Sequence, residues 1–107
     1  MSTLSTHILD ISTGQPAEGV TVHLEREGEI MATGVTNVKG RITEFVPFLP
    51  NGRYRLVAEI GAWFSETGRD TLYPCAQIDF VTGETAGEHF HLPFVIAPGG
   101  WSTYRGS

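Results

Sequence analysis

Four histidines, His7, His23, His89 and His91, are the side chains here best suited to moving protons near neutral pH, because an unperturbed imidazole titrates at about 6.5. His89 and His91 stand two apart, and on an extended strand residues two apart share a face. Phe90, Leu92, Phe94 and Ile96 then line the opposite, core side. The two histidines therefore meet solvent, a neighbouring subunit or a ligand. Such a pair can also give two ligands to one metal, but no third ligand follows at a clear spacing. Surface histidines and a metal-binding sandwich through His89 and His91 both stay open as alternatives. His7 shares its face with Ser5 and Leu9, and His23 sits among charged residues as a surface side chain. By residue type alone, Arg41 after Lys39-Gly40 flanks a turn, and Trp101 and Tyr104 pack near the C-terminus. Nothing matches a nucleophile elbow, a P-loop or a dinucleotide fingerprint.

These side chains must be held by strands. Leu4 to Ile11 is extended and apolar-rich, and the following STGQPAEG is a loop. Val20, Val22 and Leu24 alternate with Thr21, His23 and Glu25, the period of a half-buried strand. Glu27, Gly28 and Glu29 mark a hairpin turn before a strand from Ile30 to Val35. Arg41 to Phe48 is the next strand, closed by the turn Pro50-Asn51-Gly52. Arg53 to Ile60 alternates again, and Ala62 to Thr67 is expected to form a short helix. Gln77 to Val81 is extended, as is 89–97, where Pro93 removes a donor and points to an edge or a bulge. Residues 101–107 form a last short strand or an ordered tail. About eight strands and one helical turn predict an all-β sandwich.

Composition bounds the rest. The chain has 107 residues, expected to be one domain over 1–107 with a modest core. Oligomerisation would bury more surface. The net charge is −5 and the seven Lys and Arg form no cluster, which speaks against nucleic-acid or anionic-membrane partners. No apolar run approaches the roughly 20 residues of a membrane helix. The opening MSTLSTHILD has neither a basic start nor an apolar stretch, and Cys75 is the only cysteine. A reducing, cytoplasmic setting is expected.

Four segments, in order, carry a resemblance. LSTHILDISTGQPAEGV at 4–20, TNVKGR at 36–41, EHFHLPFVIAPGG from 88, and the closing WSTYRGS resemble the motifs of the transthyretin-like 5-hydroxyisourate hydrolase family. The matching motifs there are L-T-T-H-V-L-D with S-G-x-P-A, T-N-x-D-G-R, H-Y-H-V-P-L-L-L-S-P, and a terminal Y-R-G-S. That tetrapeptide distinguishes the hydrolases from hormone-carrying transthyretins of the same fold. The resemblance implies a transthyretin-like sandwich that hydrolyses 5-hydroxyisourate to 2-oxo-4-hydroxy-4-carboxy-5-ureidoimidazoline in urate breakdown, without metal or cofactor. It implies catalytic roles for His7, Arg41 and His91, and substrate binding by His7, Arg41, Tyr104 and Ser107. It also implies a homotetramer with active sites at the dimer–dimer interface. Lys39 departs from the family's Asp and Trp101 from its Tyr, which bears on the turn and on channel width or packing. A non-catalytic small-ligand carrier of the same fold is the alternative the resemblance itself raises.

Overall fold

The computed structural model describes residues 2–83 and 88–106. Its strands are β1 (Ser2–Asp10), β2 (Gln15–Pro16), β3 (Thr21–Arg26), β4 (Glu29–Val35), β5 (Arg41–Leu49), β6 (Gly52–Ala58), β7 (Ala76–Thr82), β8 (His89–His91), β9 (Phe94–Ala97) and β10 (Gly100–Thr103), with one helix, α1 (Ile60–Glu66). They form two sheets. One runs β4-β3-β6-β7, and the other is built around β1, which pairs with β5 and β2 antiparallel and with β8 and β9 parallel, with β10 outside β9. The apolar residues of the alternating strands meet between the sheets: Leu4 and Ile8 of β1, Val22 and Leu24 of β3, Leu56 of β6, Ile78 of β7, and Phe94 and Ile96 of β9. Burying each such side chain stabilises the fold by about 1.5–3 kcal/mol.

The two-sheet, all-β sandwich is the expected architecture, and the boundaries differ in instructive places. Glu27 and Gly28 form a two-residue hairpin loop and both take positive φ, 53° and 81°, the backbone that matches the twist of the flanking strands. The alternation through Ile60 is misleading. β6 ends at Ala58, and Ile60 opens the helix, because Ile60 and Phe64 lie four apart and bury the same helical side. Gly61 allows this: a Cβ there would sit 2.8 Å from the Pro74 backbone. After the helix, Arg69 reaches back 2.7 Å to Asp10, whose side chain is almost wholly buried. Burial raises the Asp10 pKa, but hydrogen bonds from Ser12 and Arg69 outweigh it and hold the carboxyl below its usual range.

Residues 89–97 are two strands, not one, and Pro93 marks the break between them without a bulge. β1 runs along one side of both; on the other side β10 pairs with β9 only, and β8 has the single bridge from His91 to Gly106. The pairing is Ser5↔His91 before the proline and Ile8↔Phe94 after it, three residues on along both strands, so the register survives. Pro93 lacks a donor, which breaks the ladder locally. Side-chain hydroxyls stitch the gap: Thr6 donates to the Leu92 carbonyl (2.7 Å) and Thr103 to that of Pro93 (2.7 Å).

Candidate active site

The site is assembled on β1. Leu4, Thr6 and Ile8 face inward and are buried, so Thr3, Ser5 and His7 face outward together. On one side His7 pairs with Arg41, the first residue of β5. Directly paired residues project to the same face of a sheet, so the guanidinium and imidazole are neighbours. The turn before Arg41 is set by its asparagine and glycine. The Asn37 carboxamide oxygen accepts from the backbone N–H of Lys39 (2.9 Å) and of Arg41 (3.0 Å). Gly40 has φ 73°, and a Cβ on it would lie 2.5 Å from the Ile8 carbonyl. The exposed Lys39 contributes its backbone alone to these bonds, so its departure from the family pattern leaves the turn, and Arg41, in place.

On the other side β8 pairs with β1 in parallel, Thr3 with His89 and Ser5 with His91. The Ser5 hydroxyl lies between the two rings, 2.9 Å from His89 Nε2 and 2.8 Å from His91 Nδ1. Thr3 Oγ1 lies 2.5 Å from His89 Nδ1. The C-terminal tail continues the β9–β10 register past β10, so that Gly106 bridges to His91 and donates to its carbonyl at 2.8 Å. Arg105 pins this tail by pairing with Glu88 and lying 4.9 Å over the Phe90 ring. Only glycine fits at 106, since a Cβ would collide with Cδ2 of the His91 ring and stand 3.1 Å from its Cγ. Gly106→Ala is therefore expected to tilt that ring and lower kcat roughly 10-fold with the sheets intact, because small misplacements of a reacting group are costly. Histidine ring NMR beside a turnover assay checks this, and an unmoved ring with unchanged kcat would contradict it.

Both imidazoles are biased toward the neutral, proton-accepting form. Partial burial first, then the nearby positive charge of Arg41, lowers the His7 pKa; the Lys39 backbone opposes this. Burial first, then Arg41, His7 and His89, lowers that of His91. The mutual influence brings His7, Arg41 and His91 into one electrostatic unit. Two neutral imidazoles beside a permanent cation can take a proton from water and stabilise an oxyanion.

Of the other expected residues, Tyr104 is 59% exposed just beyond β10, and Ser107 lies outside the described residues. Trp101 packs against Phe94, ring centroids 6.1 Å apart. His23 sits apart on β3, bonded to Thr33 (3.0 Å) and 3.8 Å from Glu59. Among the described residues no group of three or more His, Cys, Asp or Glu is placed to share a metal. His89 and His91 instead share a hydroxyl. Ser5, Asn37, Arg105 and Gly106 are the positioning residues the sequence reading missed. For Ser5 the outward alternation with His7 was the visible signal.

A family model described as "Transthyretin: HIUase/Transthyretin family" matches residues 4–106, which takes in His7, Arg41, His91 and the tail. The chain belongs to the HIUase/transthyretin family. A family relative, the 5-hydroxyisourate hydrolase of Halalkalibacterium halodurans, is 39% identical over 117 aligned residues, covering 97% of each chain. Among solved structures, the 5-hydroxyisourate hydrolase of Klebsiella pneumoniae superimposes with a TM-score of 0.94 at 68% identity, covering 100% of both chains. Sea bream transthyretin, solved in complex with thyroxine, gives 0.89 at 25% identity, covering 97% of this chain and 94% of that one. The family thus holds both catalysts and a ligand-bound transthyretin.

Proposed function

We propose that this chain, as one domain over residues 1–107, hydrolyses 5-hydroxyisourate to 2-oxo-4-hydroxy-4-carboxy-5-ureidoimidazoline in urate degradation. The observation that carries this is the grouping of His7, Arg41 and His91 on the outer face of one sheet, with both imidazole pKa values lowered. One imidazole removes a proton from water as its oxygen attacks the cyclic amide carbonyl. The Arg41 guanidinium, with its planar fork of donors, holds the substrate's oxygens and the developing negative charge. The leaving ring nitrogen gains a proton from the histidine pair as the carbon–nitrogen bond breaks. Tyr104 and Ser107 are assigned to holding the substrate ring. Water and side chains alone carry the scheme.

The site is proposed to be completed in a homotetramer, at the interface between dimers. In the single chain the His7–His91 face is open: both rings are only partly buried and Tyr104 is exposed. A cytoplasmic setting is proposed on the unpaired Cys75, which suits a reducing compartment. Among the described residues no helix is long and apolar enough to cross a membrane.

The carrier reading fits this face poorly. An apolar ligand would desolvate a guanidinium and the outward-facing sides of two imidazoles, and polar groups buried unpaired cost several kcal/mol. Reaction in ¹⁸O-labelled water separates the two. A hydrolase places one ¹⁸O in the product carboxylate faster than the protein-free reaction does. A carrier leaves the rate of incorporation at the spontaneous value.

A further inference from the structure

Thr3, His89, Ser5 and His91 form an unbroken line of alternating hydroxyls and imidazoles, at 2.5, 2.9 and 2.8 Å. Three features set it apart from ordinary strand-to-strand bonding. Both nitrogens of His89 are engaged, one by each hydroxyl. The inner end is His91, whose Nδ1 is taken by Ser5 and whose Nε2 remains for the reaction. The outer end, Thr3 and His89, lines a cleft of about 390 Å³ that Glu44 also borders.

Each hydroxyl can donate one bond and accept another, and each neutral imidazole carries one N–H. The line therefore has two complete arrangements. In one, His91 Nδ1–H donates to Ser5, Ser5 to His89 Nε2, and His89 Nδ1–H to Thr3, so His91 Nε2 is a free base. In the other every bond is reversed and His91 Nε2 carries the proton. Neither arrangement places a charge on the line, and the lowered pKa of His91 favours the neutral form of the ring at its inner end.

We infer that Ser5 and His89 are positioning residues that connect His91 to Thr3 as a proton wire, carrying the proton released by hydrolysis out to the cleft. The inference rests on the hydrolase reading above. Hydrolysis of a cyclic amide by water ends with one water hydrogen on the leaving nitrogen. The other is released, because the new carboxylic acid ionises at neutral pH. His91 Nε2 takes that second proton. Nδ1–H passes its hydrogen to Ser5 Oγ, Ser5 passes its own to His89 Nε2, His89 Nδ1–H passes to Thr3 Oγ1, and Thr3 delivers a hydrogen to water in the cleft. Every group keeps its proton count and the net transfer is one H⁺.

The test uses the assembled protein with Ser5→Ala, His89→Ala and Ser5→Thr. If the wire works, Ser5→Ala and His89→Ala lose roughly 10-fold in kcat, less than the roughly 10²–10⁴-fold of removing an acid–base group outright because His91 itself remains, with KM nearly unchanged. Added imidazole buffer, corrected for protein-free decay, restores kcat in both variants and leaves the wild type unaffected. Ser5→Thr, which keeps the hydroxyl, retains the wild-type kcat. A Ser5→Ala variant with wild-type kcat, or with a loss that buffer does not restore, overturns the wire. Nitrogen-15 NMR of the histidine rings needs no substrate and separates the two readings. Identical His89 and His91 ring shifts in wild type and Ser5→Ala overturn the wire alone, whereas a wild type that leaves 5-hydroxyisourate decay unchanged overturns the hydrolase reading and the wire with it.

Discussion

Replacing His91 by Ala is expected to lower kcat for 5-hydroxyisourate by roughly 10²–10⁴-fold, the usual range for removal of an acid–base group. The fold should persist. The imidazole is only partly buried on the outer face, and the Gly106 bond uses the His91 backbone carbonyl, which the substitution keeps. His7→Ala is expected to behave alike, since its strand is held by Leu4 and Ile8 in the core. The double variant should lose far less than the product of the single losses, because groups that act as a unit are not additive. Steady-state kinetics beside circular dichroism checks all three variants, and full activity in either folded single variant would remove that histidine from the mechanism.

Arg41→Met is expected to lower kcat/KM by roughly 10²–10³-fold, as loss of an oxyanion donor does, and also to change the histidines' titration. Arg41 is exposed and opens its strand, so a side chain of similar length should preserve packing. The sign follows from the charges. Burial, then Arg41, holds both histidines below the ordinary 6.5. Both rings are then neutral above about 6.5, and wild-type kcat/KM should be flat there. It should fall only as pH drops through the lowered values and the base becomes protonated. Removing the guanidinium removes one cause of the lowering, so both pKa values should rise and the acid limb should move to higher pH. NMR titration of the His7 and His91 ring protons measures this without turnover. Unchanged midpoints would show that Arg41 does not act on the pair.

Much of this site is legible in the sequence because it is carried by local signals. Period-two alternation turns His89 and His91 away from Phe90 and Leu92, and the motifs around residues 7, 41 and 91 name the same residues that the sheet around β1 brings together. What local signals miss is long-range. Ile60 continues an alternating strand on paper, but packing with Phe64 draws it into the helix. Pro93 interrupts a ladder without ending it, because Thr6 and Thr103, distant in sequence, donate to the Leu92 and Pro93 carbonyls at the break. The two-residue β2 is too short to leave a pattern. Ser5 and His91 are joined by a parallel pairing 86 residues apart, and Gly106 is required by a ring contact rather than by a turn. No window of neighbouring residues contains those facts.

The most direct test follows the ultraviolet absorbance of 5-hydroxyisourate, generated fresh from urate by urate oxidase, with and without the wild-type chain and with a chelator present. The account predicts faster decay that survives chelation and is lost in His91→Ala. Decay at the spontaneous rate would contradict the hydrolase reading and favour a carrier, and acceleration abolished by the chelator would contradict a mechanism run by His7, Arg41 and His91 alone.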